Sequence, residues 1–370
     1  MVAQPLDGIR VLELGGGLAA AFATHLLAGY GAEVVRVDPP AHADAPPGMT
    51  EDQEAALLGG KRRIDADAAE VRRLAGVADM IVEDLDPATA AHLAFDPAEL
   101  RAEREELVVV SISPFGRSGP DRDARATNAT VFATSGMMSL TGDPERTPLV
   151  TGGSQALHVG GLNAFGAALS ALFGAQLHGT GAWVDISVQE CLAGMLELYG
   201  PGGAYGLPPT LRFGNWHRAC WALYPCADGH AGVFCLERQV PSLFAAIGDP
   251  ELDDPRFRDP LQRPDNEEEL SASVIGFMVD HTGDDLLQIG QQRKIPFGIV
   301  RRPSELLEAP ALRTRGFFDE VALPDGTVVT TPGRPFLGLG WTAPDRVHRP
   351  GEDTDAVHRD WSTPAPGGVA

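Results

Sequence analysis

The chain has 370 residues, 44% of them hydrophobic, enough for one large or two ordinary domains with a sizeable core. Its 51 acidic side chains against 29 Lys and Arg give a formal net charge of −22. Such a surface repels phosphate backbones and argues against nucleic-acid or anionic-membrane binding.

The opening residues MVAQPLDGIRVLEL carry an early acid and no signal-peptide core, so a cytoplasmic protein is expected. Residues 8–14 read as a strand, 15–17 as a glycine turn, 18–28 as a helix and 32–37 as a second strand. This βαβ unit implies a parallel sheet. Residues 39–49 form a Pro- and Ala-rich loop, and 57–64 carry the first basic cluster, GGKRRI. A helix over 68–74, a strand over 80–83, a helix over 97–104 and a strand over 107–112 follow. Next come a turn-rich loop at 113–120 and a helix over 129–140.

From 147 to 184 there is no charged residue apart from the histidines, and Gly and Ala dominate. So dense a run of small residues has to pack backbone against backbone. It reads as an approach loop holding Ser154 to His158, a buried helix over 161–177, a glycine turn and a strand over 182–188. Its length could mimic a membrane span, but Asn163, Gln176 and His158 favour a helix buried in protein.

After Tyr199 the composition shifts. Residues 201–215 read as a Pro- and Gly-rich linker, and 216–305 as a small α+β domain. That domain has a hairpin turning at Asp228-Gly229 and helices over 240–247, 267–279 and 284–292. A second hairpin turns at Asp325-Gly326, and the tail from Pro344 reads as poorly packed. Residues 1–200 and 306–370 would form the large domain. The four cysteines, 191, 220, 226 and 235, form no CxxC pair and read as reduced core thiols.

Gly15-Gly16-Gly17-Leu18-Ala19-Ala20 between strand and helix, with Asp38 closing the next strand, fits a dinucleotide fingerprint. It equally fits a tight strand–helix turn, and no nicotinamide-side signature follows it. Lys61-Arg62-Arg63 reads either as a phosphate grip or as a solvated charge run. His25, His158, His217 and His230 are scattered, and no metal-ligand spacing occurs, so no metal site is expected.

Taken together, several stretches resemble the family III CoA-transferases, the group of formyl-CoA and carnitine CoA-transferases and α-methylacyl-CoA racemases. They include PLDGIRVLEL, LLAGYGAEVVRVDPP, GGKRRIDAD, ADMIVEDL, SPFGRSGP, SGMMSLTGDPERTPL, GLNAFGAALSALFGAQLHGTGAWVDISVQE, YPCADGHAGVF, IPFGIV and LRTRGFF, and they span residues 5–335 in the family's order. The resemblance implies an α/β protein. It has a large Rossmann-like domain built from both chain ends, a smaller α+β domain and an interlocked dimer. It also implies coenzyme A or an acyl-CoA as substrate, with Gly15, Gly16, Lys61, Arg62, Phe115 and Gly116 as candidate contacts.

In those transferases an aspartate attacks the thioester and carries the CoA between two acids. The matching position here is Ala156, and no Asp stands between Asp143 and Asp185. The racemases add a His-Asp dipeptide, which here reads Thr127-Asn128. After the third strand, relatives read Glu-Asn-Phe-Arg with the Asn and Arg near CoA, whereas this chain has Glu83-Asp84-Leu85-Asp86. Asp84 and Asp86 are therefore expected to repel the ligand's phosphates. Three functions follow as expectations. The first is a non-catalytic subunit of a heteromeric CoA-transferase, paired with an Asp-bearing relative, although the dimer itself could be a homodimer or such a heterodimer. The second is a repurposed enzyme acting on a CoA- or carrier-bound acyl group through Gln155, His158, Asn128 or His217. The third is a binding protein without catalysis.

Overall fold

The computed structural model describes residues 4–38, 49–196, 205–206 and 212–364. In chain order these form β1 (Arg10–Leu14), α1 (Leu18–Gly29), β2 (Glu33–Val37), α2 (Glu51–Leu57), β3 (Arg62–Ile64), α3 (Ala68–Ala75), β4 (Met80–Glu83), α4 (Pro87–His92), α5 (Pro97–Glu103), β5 (Val108–Ser113), α6 (Asn128–Thr134), α7 (Gln155–His178), β6 (Trp183–Ser187) and α8 (Val188–Ala193). Then follow β7 (Trp216–Arg218), β8 (Trp221–Cys226), β9 (Gly229–Phe234), α9 (Val240–Ile247), α10 (Pro255–Arg258), α11 (Glu267–Val279), α12 (Gly283–Arg293), β10 (Phe297–Ile299) and α13 (Pro303–Leu306). The chain ends with α14 (Pro310–Thr314), β11 (Phe318–Ala322), β12 (Val328–Pro332) and α15 (Thr354–Asp360).

The described residues divide into two compact units. One draws on 1–138, 150–208 and 310–370, the other on 139–149 and 209–309. Residues 139–149, assigned from the sequence to the large domain, thus group with the small one. There the backbone carbonyls of Asp143, Pro144 and Arg146 accept from the Arg212 guanidinium. Most of the expected linker, at 201–204 and 207–211, lies outside the described residues, as does most of the loop at 39–49.

The large unit is built on six parallel strands in the order β3-β2-β1-β4-β5-β6. Every residue of β1, β4 and β5 is buried, as expected for central strands covered on both faces. The order reverses between β1 and β4, which makes that pair the switch point of a doubly wound sheet. Helices start where their sequences supply caps. The hydroxyl of Thr50 opens α2, and the carboxylates of Asp67, Asp86 and Asp96 open α3, α4 and α5. Helix α7 stops at Gly179, which adopts φ 71°.

Helices α1 and α7 pack together on one face of the sheet. Where they meet at Gly161, a Cβ would come within 2.5 Å of the Ala19 carbonyl oxygen, so only glycine fits. Close packing of small residues is therefore the physical basis of the uncharged run. Helix α7 starts at Gln155, so Ser154 to His158 is a helix cap and first turn and not a loop. Among the described residues α7 is the one helix long and apolar enough to cross a membrane, yet it packs on α1 and on β5.

The small unit has an antiparallel sheet ordered β10-β9-β8-β7, with helices burying its inner face. All four cysteines are free, and burial pushes the Cys220 and Cys235 thiols up to about 12.

The chain's tail departs from expectation. Val357 and Trp361 are fully buried in the large unit's second core, and Arg10 lies 5.3 Å over the Trp361 ring. Arg10 and Arg73 also donate to main-chain carbonyls of Asp360 and Trp361. A polar composition hid this because two apolar residues and borrowed arginines do the anchoring. Trp361→Ala is expected to lower unfolding free energy by about 3–5 kcal/mol, read by chemical denaturation. An unchanged midpoint would show that the tail is not part of the core.

Candidate functional site

Ligands of open parallel sheets bind outside the carboxyl ends of the strands, at the switch point. Here that place is ringed by the β1–α1 turn, the residues after β4, the loop after β5 and the first turn of α7.

The β1–α1 turn is Gly15-Gly16-Gly17. Gly15 has φ +122°, a conformation reserved for glycine. The helix α1 that follows has no side-chain cap of its own. Two amides of its start are taken by Asp84, whose two carboxylate oxygens accept from Gly17 N at 3.1 Å and Ala20 N at 3.2 Å. Burial pushes the Asp84 carboxyl above its ordinary value, against those two bonds. Asp84 therefore points into the turn as a cap supplied by a neighbouring strand. Asp86 is also engaged locally. It caps α4, accepting from Ala88 N at 3.0 Å and Thr89 N at 3.3 Å. The sequence-based view of both as charges facing a ligand missed these amide partners.

Lys61 is placed differently from the expected phosphate grip. It is fully buried, and its ammonium donates to Glu13 Oε2 at 2.8 Å, to the Ala21 carbonyl at 2.8 Å and to Thr24 Oγ1 at 2.7 Å. Glu13 also pairs with Arg36. Burial works against ionising Glu13, but Lys61 and Arg36 outweigh it and hold the carboxyl at about 2. Arg62 pairs with Glu33 and Asp360, and Arg63 with Asp38 and Glu54. The whole basic cluster thus pairs with acids of its own chain. Glu13 was not foreseen as its focus, although a lone acid inside the apolar run RVLEL was the available signal.

The loop after β5 carries Phe115 and Gly116. Gly116 is buried with φ +89°, and the Asp185 carboxylate accepts from the next amide, Arg117 N, at 2.9 Å. The Arg117 guanidinium reaches back to Glu83 and the Leu85 carbonyl. This loop is therefore held in a fixed shape by β4 and β6.

At α7 the position singled out in the sequence is enclosed. Ala156 is fully buried. Its amide donates to Asn128 Oδ1 at 2.9 Å, as does Leu157 N at 3.4 Å, while Asn128 Nδ2 donates to the Gly153 carbonyl at 3.3 Å. Asn128 thus caps α7 across the fold, where Ser154 makes no cap bond of its own. Gln155 is exposed beside it. His158 Nδ1 lies 2.9 Å from the Ser154 carbonyl, and its ring meets Phe22 edge-on at 4.9 Å. The structure thus brings Asn128, Gln155, Ala156 and His158 together on one helix start. His217 belongs to the small unit, on β7, between the rings of Phe213 and Trp221.

The family model for CoA-transferase family III matches residues 6–354. The chain belongs to the family III CoA-transferases. It is 31% identical to a succinyl-CoA–D-citramalate CoA-transferase of Chloroflexus aurantiacus, over 92% of this chain and 91% of that one. It is 27% identical to the succinyl-CoA:(R)-benzylsuccinate CoA-transferase subunit BbsE of Thauera aromatica, over 98% and 95% of the two chains. Among solved structures, a CAIB/BAIF family protein from Brucella suis superposes with a TM-score of 0.84 at 26% identity, covering 98% of this chain and all of that one.

The buried Glu13 cluster predicts an acid-labile fold. The Glu13 carboxyl is lowered from 4.5 to about 2, and the His25 imidazole from 6.5 to about 3, the latter through burial and then Lys61. In both cases the unfolded chain binds the proton first. The stability from His25 is complete above about pH 6.5, that from Glu13 above about pH 4.5, and each is lost as pH falls through the folded value. Glu13→Gln leaves Lys61 and Arg36 short of a buried counter-charge. It is expected to cost about 3–5 kcal/mol at neutral pH and to flatten the profile below pH 4.5, read by denaturation across pH. An unaltered acid profile would refute the assignment.

Proposed function

We propose that this chain is the nucleophile-free subunit of a heteromeric CoA-transferase, paired with an Asp-bearing family member in the cytoplasm. Ala156 carries this reading. A methyl group offers no electron pair to a thioester, and the first turn of α7 that would present a carboxylate is intact, capped and packed. The name of the benzylsuccinate relative, a subunit of its enzyme, supports the same arrangement.

In this reading the partner's aspartate attacks the acyl carbon of an acyl-CoA and expels the CoA thiolate, forming a mixed anhydride. The thiolate then attacks the aspartyl carbonyl and releases the first acid as its carboxylate. A second acid takes the CoA by the same two steps in reverse. The chain described here contributes a shaped wall: the fixed Phe115-Gly116 loop as a contact for coenzyme A, and the α7 start as a rigid floor. Three bonds from Asn128 make that floor rigid, so the retained architecture has a use without the carboxylate.

The test is co-expression with an Asp-bearing family member under separate affinity tags, followed by a CoA-transfer assay. A stoichiometric complex is expected, active only as the pair and silenced when the partner's aspartate is replaced. A stable homodimer that ignores every intact relative, or transfer by this chain alone, would contradict the reading.

A further inference from the structure

In a sheet of this strand order, the crevice between β1 and β4 is where a nucleotide phosphate meets a glycine turn and the free amides of a helix start. In this chain the amides of Gly17 and Ala20 already hold the two oxygens of Asp84. The turn is built around that carboxylate. A Cβ at Gly15 or at Gly17 would lie inside the Asp84 side chain. Gly17 is the decisive case, because its φ of −83° and ψ of 161° suit any residue. Its backbone does not call for glycine; the closeness of Asp84 does.

We propose that Asp84 is a built-in anion that occupies the phosphate place of the glycine turn and closes it to ligand phosphates. The consequence is a specificity rule for this chain. A dinucleotide, or the diphosphate of a coenzyme thioester, meets a carboxylate where it needs donors, so its phosphates lodge elsewhere. Only an uncharged stretch of ligand can pass the turn. The neighbouring cations do not reverse this: Lys61 pairs with Glu13, and Arg36 pairs with Glu13 and Asp38 while its field favours the charged form of Asp84. The inference stands apart from the subunit role, since it concerns one turn of the isolated chain.

The full-length chain tests it with inorganic phosphate as the probe, read as the thermal midpoint against chloride at matched ionic strength. The wild type is expected to show no phosphate-specific rise. Asp84→Ala is expected to melt several degrees lower and to regain stability saturably with phosphate. An equal rise in both proteins, or an Asp84→Ala that neither loses stability nor responds, overturns the proposal. A double-mutant cycle gives an independent readout. Gly17→Ala should lower the midpoint in the wild type and have little effect once Asp84 is Ala. Harm in both backgrounds, or in neither, overturns it. Asp84→Ser, which keeps one acceptor for the Gly17 amide, serves in both experiments if Asp84→Ala does not fold. Neither experiment uses a partner or a turnover assay, so failure here leaves the subunit role standing, and failure there leaves the closed turn standing.

Discussion

Glu13 is a carboxylate in the middle of a strand buried on both faces, and the large unit is arranged to satisfy it. An unpaired charge at that depth costs several kcal/mol, so partners have to be brought to it. Arg36 comes from the neighbouring strand β2, Lys61 from the entry to β3, and Thr24 from α1, which places its hydroxyl 2.6 Å from Oε2. Three elements are thereby pinned to one point at the carboxyl half of β1.

This pairing also decides what the basic cluster can do. With net charge −22, the chain has few cations to recruit for an anionic ligand. Lys61, Arg62 and Arg63 all pair with acids of the large unit, two of them near the docked tail at Asp353 and Asp360. A cation inside a low-dielectric pair is not released to a passing phosphate, because the acid left behind would be buried alone. The tail thus belongs to the same electrostatic unit as the strands.

Five of the six strands of the large sheet, α1, α7 and the small unit's three main helices were legible because their signals are local: apolar runs and glycine stops. Strand β3 and helices α2 and α4 were not. They are three to seven residues long, and their identity depends on the neighbours they pair with. The start of α7 lies six residues before the sequence-based one, directly after Ser154, which makes no cap bond of its own; the cap arrives from Asn128, which no window of sequence spans. The candidate site divides in the same way. Ala156 and Asn128 could be singled out by position, whereas Lys61 as a core residue and Asp84 as a cap depend on contacts across 48 and 67 positions.

Two helix starts meet at the carboxyl edge of the sheet, and both are capped from outside their own helix. In a parallel sheet, α1 leaves β1 there, and α7 begins there before crossing back to β6; the Phe22–His158 contact joins them. Each start offers a partial positive charge and free amides, the property by which a fold of this kind attracts an anion. At α1 a charged side chain answers it, and at α7 a neutral one. Asn128 satisfies the amides of Ala156 and Leu157 without bringing charge, and the first turn of the 24-residue α7 carries no acid of its own. A helix start capped by a neutral side chain keeps a setting that favours an anion, and here the buried methyl of Ala156 occupies it.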